Sequence, residues 1–172
     1  MAPNGKSTTT TTAPAAPLPA RFEILQNCRS WVVPHFEQGF HGHTFDKLAF
    51  THFDKDQRLL VAEMVVEERH TNAYQKVHGG VLAALIDIVS SFAVIELGHL
   101  NSGVSVDLST SYLKSVGVGA VLEVRSYCER LGKNLAFTRT DVFDKTTGDL
   151  LASGRHTKFC GGGHKMVFGP KL

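Results

Sequence analysis

The stretch from Val81 to Leu97 limits what this 172-residue chain can fold into more than any other. It reads Val-Leu-Ala-Ala-Leu-Ile-Asp-Ile-Val-Ser-Ser-Phe-Ala-Val-Ile-Glu-Leu, with Gly79-Gly80 before it and Gly98 after it. Such a run is too long for one strand and apolar on nearly every side, the pattern of a helix surrounded by protein. Ala83 and Ala84 leave room for a neighbouring backbone. Asp87, Ser90, Ser91 and Glu96 interrupt the run, so it reads as the buried helix of a soluble fold and not as a membrane span. A lone helix this apolar needs a sheet wrapped around it.

The flanking sequence supplies that sheet. Phe45 to Phe53 and Arg58 to Val66 read as a hairpin about the polar turn Asp54-Lys55-Asp56-Gln57, followed by a loop from Glu67 to Val77. Beyond the helix, Gly103 to Leu113 alternates around Val104, Val106 and Leu108. Val121 to Leu131 follows a Gly117-Val118-Gly119 turn. Ala136 to Asp144 and Leu150 to Phe159 flank the turn Lys145-Thr-Thr-Gly-Asp149. The order is two strands, one long helix, four strands. The expected class is α+β: a curved antiparallel β-sheet wrapped around one long central helix.

The expected division is a disordered Thr/Ala/Pro-rich tail over 1–20, a helix or cover segment over 21–43, one domain over 44–160 and a Gly-rich flexible tail over 161–172. The first of these cannot bury enough apolar surface to offset its ordering entropy. The cover segment carries Trp31, Phe36 and Phe40.

A net charge of +2 argues against a nucleic-acid binder, though not against a local basic patch for a small phosphate-bearing ligand. Cys28, Cys128 and Cys160 are odd in number and widely spaced, which suggests reduced thiols and no zinc or redox motif. His35, His41 and His43 lie close together, but no cysteine or acidic cluster stands at ligand spacing, so no metal is expected. The N-terminus lacks the apolar core of a secretory signal. The expected compartment is cytoplasmic or mitochondrial.

Three features bear on chemistry. Asn72 precedes His78 by six residues, His78-Gly79-Gly80 opens the helix, and Asp87 lies inside it. The first amides of a helix lack intrahelical acceptors and carry its positive dipole end, and glycine lets a ligand oxygen approach closely. That is a place for a polarised carbonyl, although a Gly-Gly pair before a helix also serves as a plain turn. A carboxylate within an apolar helix is costly unless paired or functional. Asp87 is either a structural aspartate bonded to Ser90 or Ser91, or a base or nucleophile. Eight residues separate Gly79 from Asp87, roughly 12 Å along the axis. The two cannot reach one carbonyl within one subunit. They can meet if two such helices lie antiparallel across a two-fold axis.

Glu67-Glu68-Arg69-His70-Thr71-Asn72-Ala73, Val77-His78-Gly79-Gly80 and Leu85-Ile86-Asp87 resemble the signature of the PaaI-type hotdog-fold thioesterases. Gly103-Val-Ser-Val-Asp107, Gly132-Lys-Asn-Leu-Ala-Phe-Thr138 and Gly154-Arg-His-Thr-Lys158 extend the resemblance, which runs from about Val61 to Lys158. It implies a hotdog fold and hydrolysis of acyl-CoA to fatty acid and CoA, with no cofactor. It also implies a homo-oligomer, a dimer that pairs into a dimer of dimers. By resemblance, Gly79 and Asn72 polarise the thioester carbonyl and His78 positions Asn72 or the substrate. Asp87 of the opposite subunit activates water, and Ser105 holds that water or the carboxylate. The CoA end falls to Glu68, Asp107, Tyr112, Lys114, Arg130, Gly132, Lys133, Asn134, Leu135 and His156, with Lys158 nearby on the last strand. Val116-Gly117-Val118 departs from the proline-containing stretch common in relatives. Two other readings stand beside hydrolysis: an acyl-thioester hydratase or dehydratase using His78 on carbon, and a non-catalytic acyl-CoA-binding protein.

Overall fold

The computed structural model describes residues 40–98 and 103–161. The expected tail and most of the cover segment lie outside these residues, as do Cys28 and His35. A short helix α1 (Phe40–Thr44) leads into the hairpin β1 (Ala49–Asp54) and β2 (Leu59–Val65). A 3₁₀ turn over Glu68–His70 precedes the long helix α2 (Gly79–Glu96). Four strands follow: β3 (Val104–Tyr112), β4 (Val121–Leu131), β5 (Leu135–Asp144) and β6 (Leu150–Phe159). All pairings are antiparallel, in the order β1-β2-β4-β5-β6-β3. The expected element order holds, with boundaries shifted by a few residues at β1 and β2.

The hairpin turns where the sequence provides for it. Asp54 Oδ1 accepts from the amides of Asp56 and Gln57, both at 2.9 Å, and closes the β1–β2 turn. His78 caps α2, its Nδ1 accepting from the Gly80 amide at 2.8 Å. Gly98 ends the helix at φ +96°, a conformation glycine adopts without Cβ strain.

The helix lies along the inner face of the sheet. Leu82, Leu85, Ile86, Val89 and Ala93 meet Leu60, Ala62, Met64, Leu122, Val124, Val142 and Leu151 in one core, with Phe45 and Phe50 closing its side. Each fully buried Leu, Ile or Val contributes about 1.5–3 kcal/mol, so this layer dominates folding. By length and composition alone α2 would just qualify as a bilayer span, which the sequence reading discounted. The sheet packed along it accounts for its apolar side chains.

Gly154 makes the close approach of β6 and α2 possible. A Cβ there would stand 2.7 Å from the Ser109 carbonyl and 3.0 Å from two carbons of Ile86. Gly154→Ala is therefore expected to cost about 1–3 kcal/mol, read as a lower urea midpoint with an unchanged slope. A midpoint equal to wild type would show that strand and helix can part at no cost.

The 67–78 loop is held from within. His70 is fully buried; its Nδ1 accepts from the Glu67 amide at 2.9 Å and its Nε2–H donates to the Thr44 carbonyl at 2.7 Å. Arg69 pairs with Asp46 and donates to the His43 carbonyl, while Lys47 pairs with Glu67. These contacts fix the stretch that carries Asn72 and His78 against the end of α1.

Candidate active site

Two groups of polar side chains lie along α2, one at its N-terminus and one at its middle. At its N-terminus, the Asn72 side-chain oxygen accepts from the amides of Tyr74 at 2.9 Å and Lys76 at 3.3 Å. That locks the loop and leaves the Asn72 Nδ2 hydrogens uncommitted among the described residues. The His78 amide donates to the His70 carbonyl at 2.8 Å. Because His78 Nδ1 accepts from the Gly80 amide, the ring proton is on Nε2. The Gly79 amide has no acceptor among the described residues. The Tyr112 ring lies against Gly79, where a Cβ would stand 3.3 Å from it. An unbonded amide at the positive end of a long helix thus lies beside an aromatic ring, with the Asn72 loop leading into it, a suitable cradle for a polarised carbonyl oxygen.

The second group centres on Asp87, whose side chain keeps 39% of its surface exposed. Residues 152, 154, 156 and 158 of β6 share the helix-facing side, since strand side chains alternate. His156 and Lys158 consequently point inward and are only 1% and 3% exposed. Lys158 Nζ donates to Ser91 Oγ at 2.8 Å and stands 3.8 Å from Asp87 Oδ1. His156 Nδ1 lies 2.7 Å from Ser90 Oγ and 3.6 Å from Asp87 Oδ1. Its Nε2 is 2.9 Å from Ser105 Oγ.

Ser105 reaches this group through an irregularity in β3. Ser105 pairs with Lys158, but Asp107 pairs with Thr157 and Leu108 with His156, so the register slips by one between Ser105 and Asp107. The bulge turns Ser105 to the same face as Leu108, Thr110 and Tyr112. Regular alternation would have placed it outward with Asp107 and Ser109. β3 thereby delivers Ser105 to the Asp87 group and Tyr112 to the Gly79 group.

Residues 74–150 match the thioesterase superfamily model. Human acyl-coenzyme A thioesterase 13 is 41% identical over 102 residues, which make up 59% of this chain and 73% of that protein. This chain belongs to the thioesterase superfamily. The crystal structure of mouse thioesterase superfamily member 2 is 34% identical, covering 79% of this chain and 96% of that one at a TM-score of 0.69. A hypothetical thioesterase from Streptococcus pneumoniae TIGR4, crystallised with coenzyme A, is 26% identical at a TM-score of 0.62, covering 68% and 88%. The architecture is the hotdog fold, and this thioesterase is a thioester hydrolase.

The expected carbonyl-end residues Asn72, His78 and Gly79 lie together in the thioesterase, and Asp87 and Ser105 form the other group. Arg130, Gly132, Lys133, Asn134 and Leu135 lie in the β4–β5 hairpin, where the Gly132 amide donates to the Leu135 carbonyl at 2.8 Å. The Asn134 carbonyl accepts from the amides of Cys160 at 2.7 Å and Gly161 at 3.2 Å, tying the hairpin to the end of β6. Glu68 sits in the 3₁₀ turn, and Asp107 is exposed on β3. Lys114 is exposed and paired with Asp149.

The sequence reading assigned His156 to the CoA end; its ring is buried beneath α2 and bonds Ser90 and Ser105, while the buried Lys158 beside it bonds Ser91. Ser90 and Ser91 bond Asp87 as the sequence allowed, both through its main-chain carbonyl and Ser91 also at Oδ1 at 3.5 Å, and in addition they link these two buried groups to it. Sequence reasoning missed this because the inward positions of β6 carry Ala, Gly, His and Lys, which show no apolar period.

Burial, aided by the Lys158 ammonium and opposed by Asp87 and Asp107, lowers the His156 pKa to about 4. Burial also pushes the Lys158 amine down, against the pull of Asp87. The unfolded chain then takes up the His156 proton first as pH falls. The contribution is complete above about pH 6.5 and is lost between that pH and about 4, at most about 3 kcal/mol. Chemical denaturation of wild type and His156→Gln across this window checks it. The variant should lose less stability on acidification, and equal losses would contradict the assignment.

Proposed function

We propose that this thioesterase hydrolyses fatty acyl-CoA to a free fatty acid and CoA, with each active site built from two protomers. The observation that carries this reading is the division of the site: Gly79 and Asp87 lie on one helix, roughly 12 Å apart along its axis. One protomer cannot bring both to the same carbonyl carbon. A second copy with its α2 antiparallel to the first would bring Asp87 of one beside Gly79 of the other, twice over.

The free edge of the sheet supports such a copy. β3 is an edge strand on which Val104, Val106, Leu108 and Tyr112 are 53%, 60%, 39% and 57% exposed. Unpaired strand edges with exposed apolar side chains favour pairing with another chain. Further association into a dimer of dimers belongs to the same proposal.

In this mechanism the Gly79 amide and Asn72 Nδ2 donate to the thioester oxygen, and His78 Nε2–H helps position the acyl end. Asp87 of the opposite protomer accepts a proton from water as its oxygen attacks the carbonyl carbon; Ser105 holds that water. The oxyanion formed is stabilised at the helix end. Its collapse breaks the C–S bond, and the departing thiolate takes up the proton that Asp87 received, which restores the carboxylate. The CoA phosphates require cations and backbone donors, which Arg130, Lys133 and the 132–135 backbone offer; Tyr112, Lys114, Glu68 and Asp107 complete the set by family resemblance. The hydratase reading is disfavoured, because His78 Nδ1 is occupied by the Gly80 amide and the neutral ring has no free lone pair to serve as a base on carbon.

A thiol-release assay over acyl-CoAs of graded chain length tests the reading. CoA release with stoichiometric fatty acid is expected; binding without release, or hydration of an enoyl-CoA without release, would replace it. Lys133→Ala is expected to raise KM for CoA esters several-fold at nearly constant kcat. A fall in kcat with unchanged KM would remove Lys133 from the nucleotide site.

A further inference from the structure

We infer that His156 is a positioning residue: its neutral ring carries the proton on Nδ1 and so turns Ser105 into a hydrogen-bond acceptor facing the reacting water. This rests on the proposed role of Asp87 and Ser105 at the water, and it adds an orientation that the role alone does not supply.

The argument follows one proton at a time. Ser90 has a single hydroxyl hydrogen, and its Oγ lies 3.0 Å from the Asp87 carbonyl, which can only accept. With that hydrogen committed, Ser90 meets His156 Nδ1 at 2.7 Å through a lone pair, so Nδ1 must be the donor. The adjacent serine behaves alike: Ser91 donates to the Asp87 carbonyl at 2.7 Å and accepts from Lys158 at 2.8 Å. Electrostatics agree, because Asp87 Oδ1 stands 3.6 Å from Nδ1 and favours a hydrogen over a lone pair there. Burial keeps the ring neutral near pH 7. A neutral ring protonated on Nδ1 has its lone pair on Nε2, and that lone pair takes the Ser105 hydroxyl hydrogen at 2.9 Å.

Ser105 then shows the site only lone pairs. A water between Asp87 and Ser105 would give one hydrogen to each, leaving an oxygen lone pair for the carbonyl carbon. In the opposite tautomer Ser105 would donate to the water, occupying one of its two lone pairs and leaving one water hydrogen without an acceptor in this pair. The tautomer of a buried histidine therefore favours a fixed, more nucleophilic water over a loosely held, weaker one, without touching the substrate.

Long-range ¹H–¹⁵N correlation of the labelled wild-type oligomer near pH 7 reads the tautomer directly. The expected pattern has Nδ1 protonated and Nε2 bare for His156; the reverse overturns the inference. Kinetics supply the second arm. Ser90→Ala removes the acceptor that holds the Nδ1 hydrogen, and kcat should fall about ten-fold with KM within two-fold. Ser105→Ala should also lower kcat, and the double variant should be no slower than Ser105→Ala alone. Unchanged kcat in Ser90→Ala, or losses that multiply, would overturn it. The two levels separate cleanly: a wild type that releases no thiol defeats the hydrolase reading whatever the tautomer, whereas an active wild type with hydrogen on Nε2 defeats only the inference.

Discussion

Asp87→Asn is expected to lower kcat for thioester hydrolysis by about 10²–10⁴-fold, the usual worth of a positioned general base, with KM little changed. Asparagine has nearly the same shape and can keep the contact with Ser91, but it cannot take a proton from water. Assembly should survive, because the side chain is partly exposed and the Asp87 contacts to both serines run chiefly through its main-chain carbonyl. One secondary effect follows from Lys158, which is 3% exposed and loses its carboxylate neighbour. Stability should drop modestly, since a buried cation without its partner is unfavourable. Steady-state kinetics beside size-exclusion chromatography check both points. A kcat within three-fold of wild type would remove Asp87 from the chemistry.

The second large effect is a recovery. Asn72→Ala removes a donor to the carbonyl oxygen, and such a loss typically costs about 10²–10³ in turnover. If sites are shared, co-refolding Asn72→Ala with Asp87→Asn creates mixed dimers in which one site carries both lesions and the other neither. Random equimolar mixing should then restore about a quarter of wild-type activity, since half the dimers are mixed and each has one intact site. Sites confined to one protomer would show no recovery at any mixing ratio. This experiment tests the division of the site without any assumption about substrate length.

How much of this was legible beforehand follows physical lines. The run around Asp87 announced a central helix because no other element tolerates apolar side chains on all faces, and Gly98 marked its end. The strands from β4 onward were readable because turn residues punctuate them. The pairing of Asn72, His78 and Gly79 at the helix start was readable from capping chemistry together with the family resemblance. Ser105 was harder: regular alternation sends it outward, and only a bulge, which leaves no clear mark in Gly103-Val-Ser-Val-Asp107, turns it in. The burial of His156 and Lys158 was not legible, because a lysine on a strand is usually solvated. The burial of that lysine depends on Ser91, and so on a contact between distant parts of the chain.

The slipped register in β3 also has a bearing on how this scaffold can diverge. The ladder already sets Ser105 opposite Lys158 and Asp107 opposite Thr157, so excising Val106 would make these two residues consecutive and leave each facing as it does now. The strand would run straight, with Ser105 still turned toward His156. A chain shortened by that one residue should therefore fold and keep its turnover.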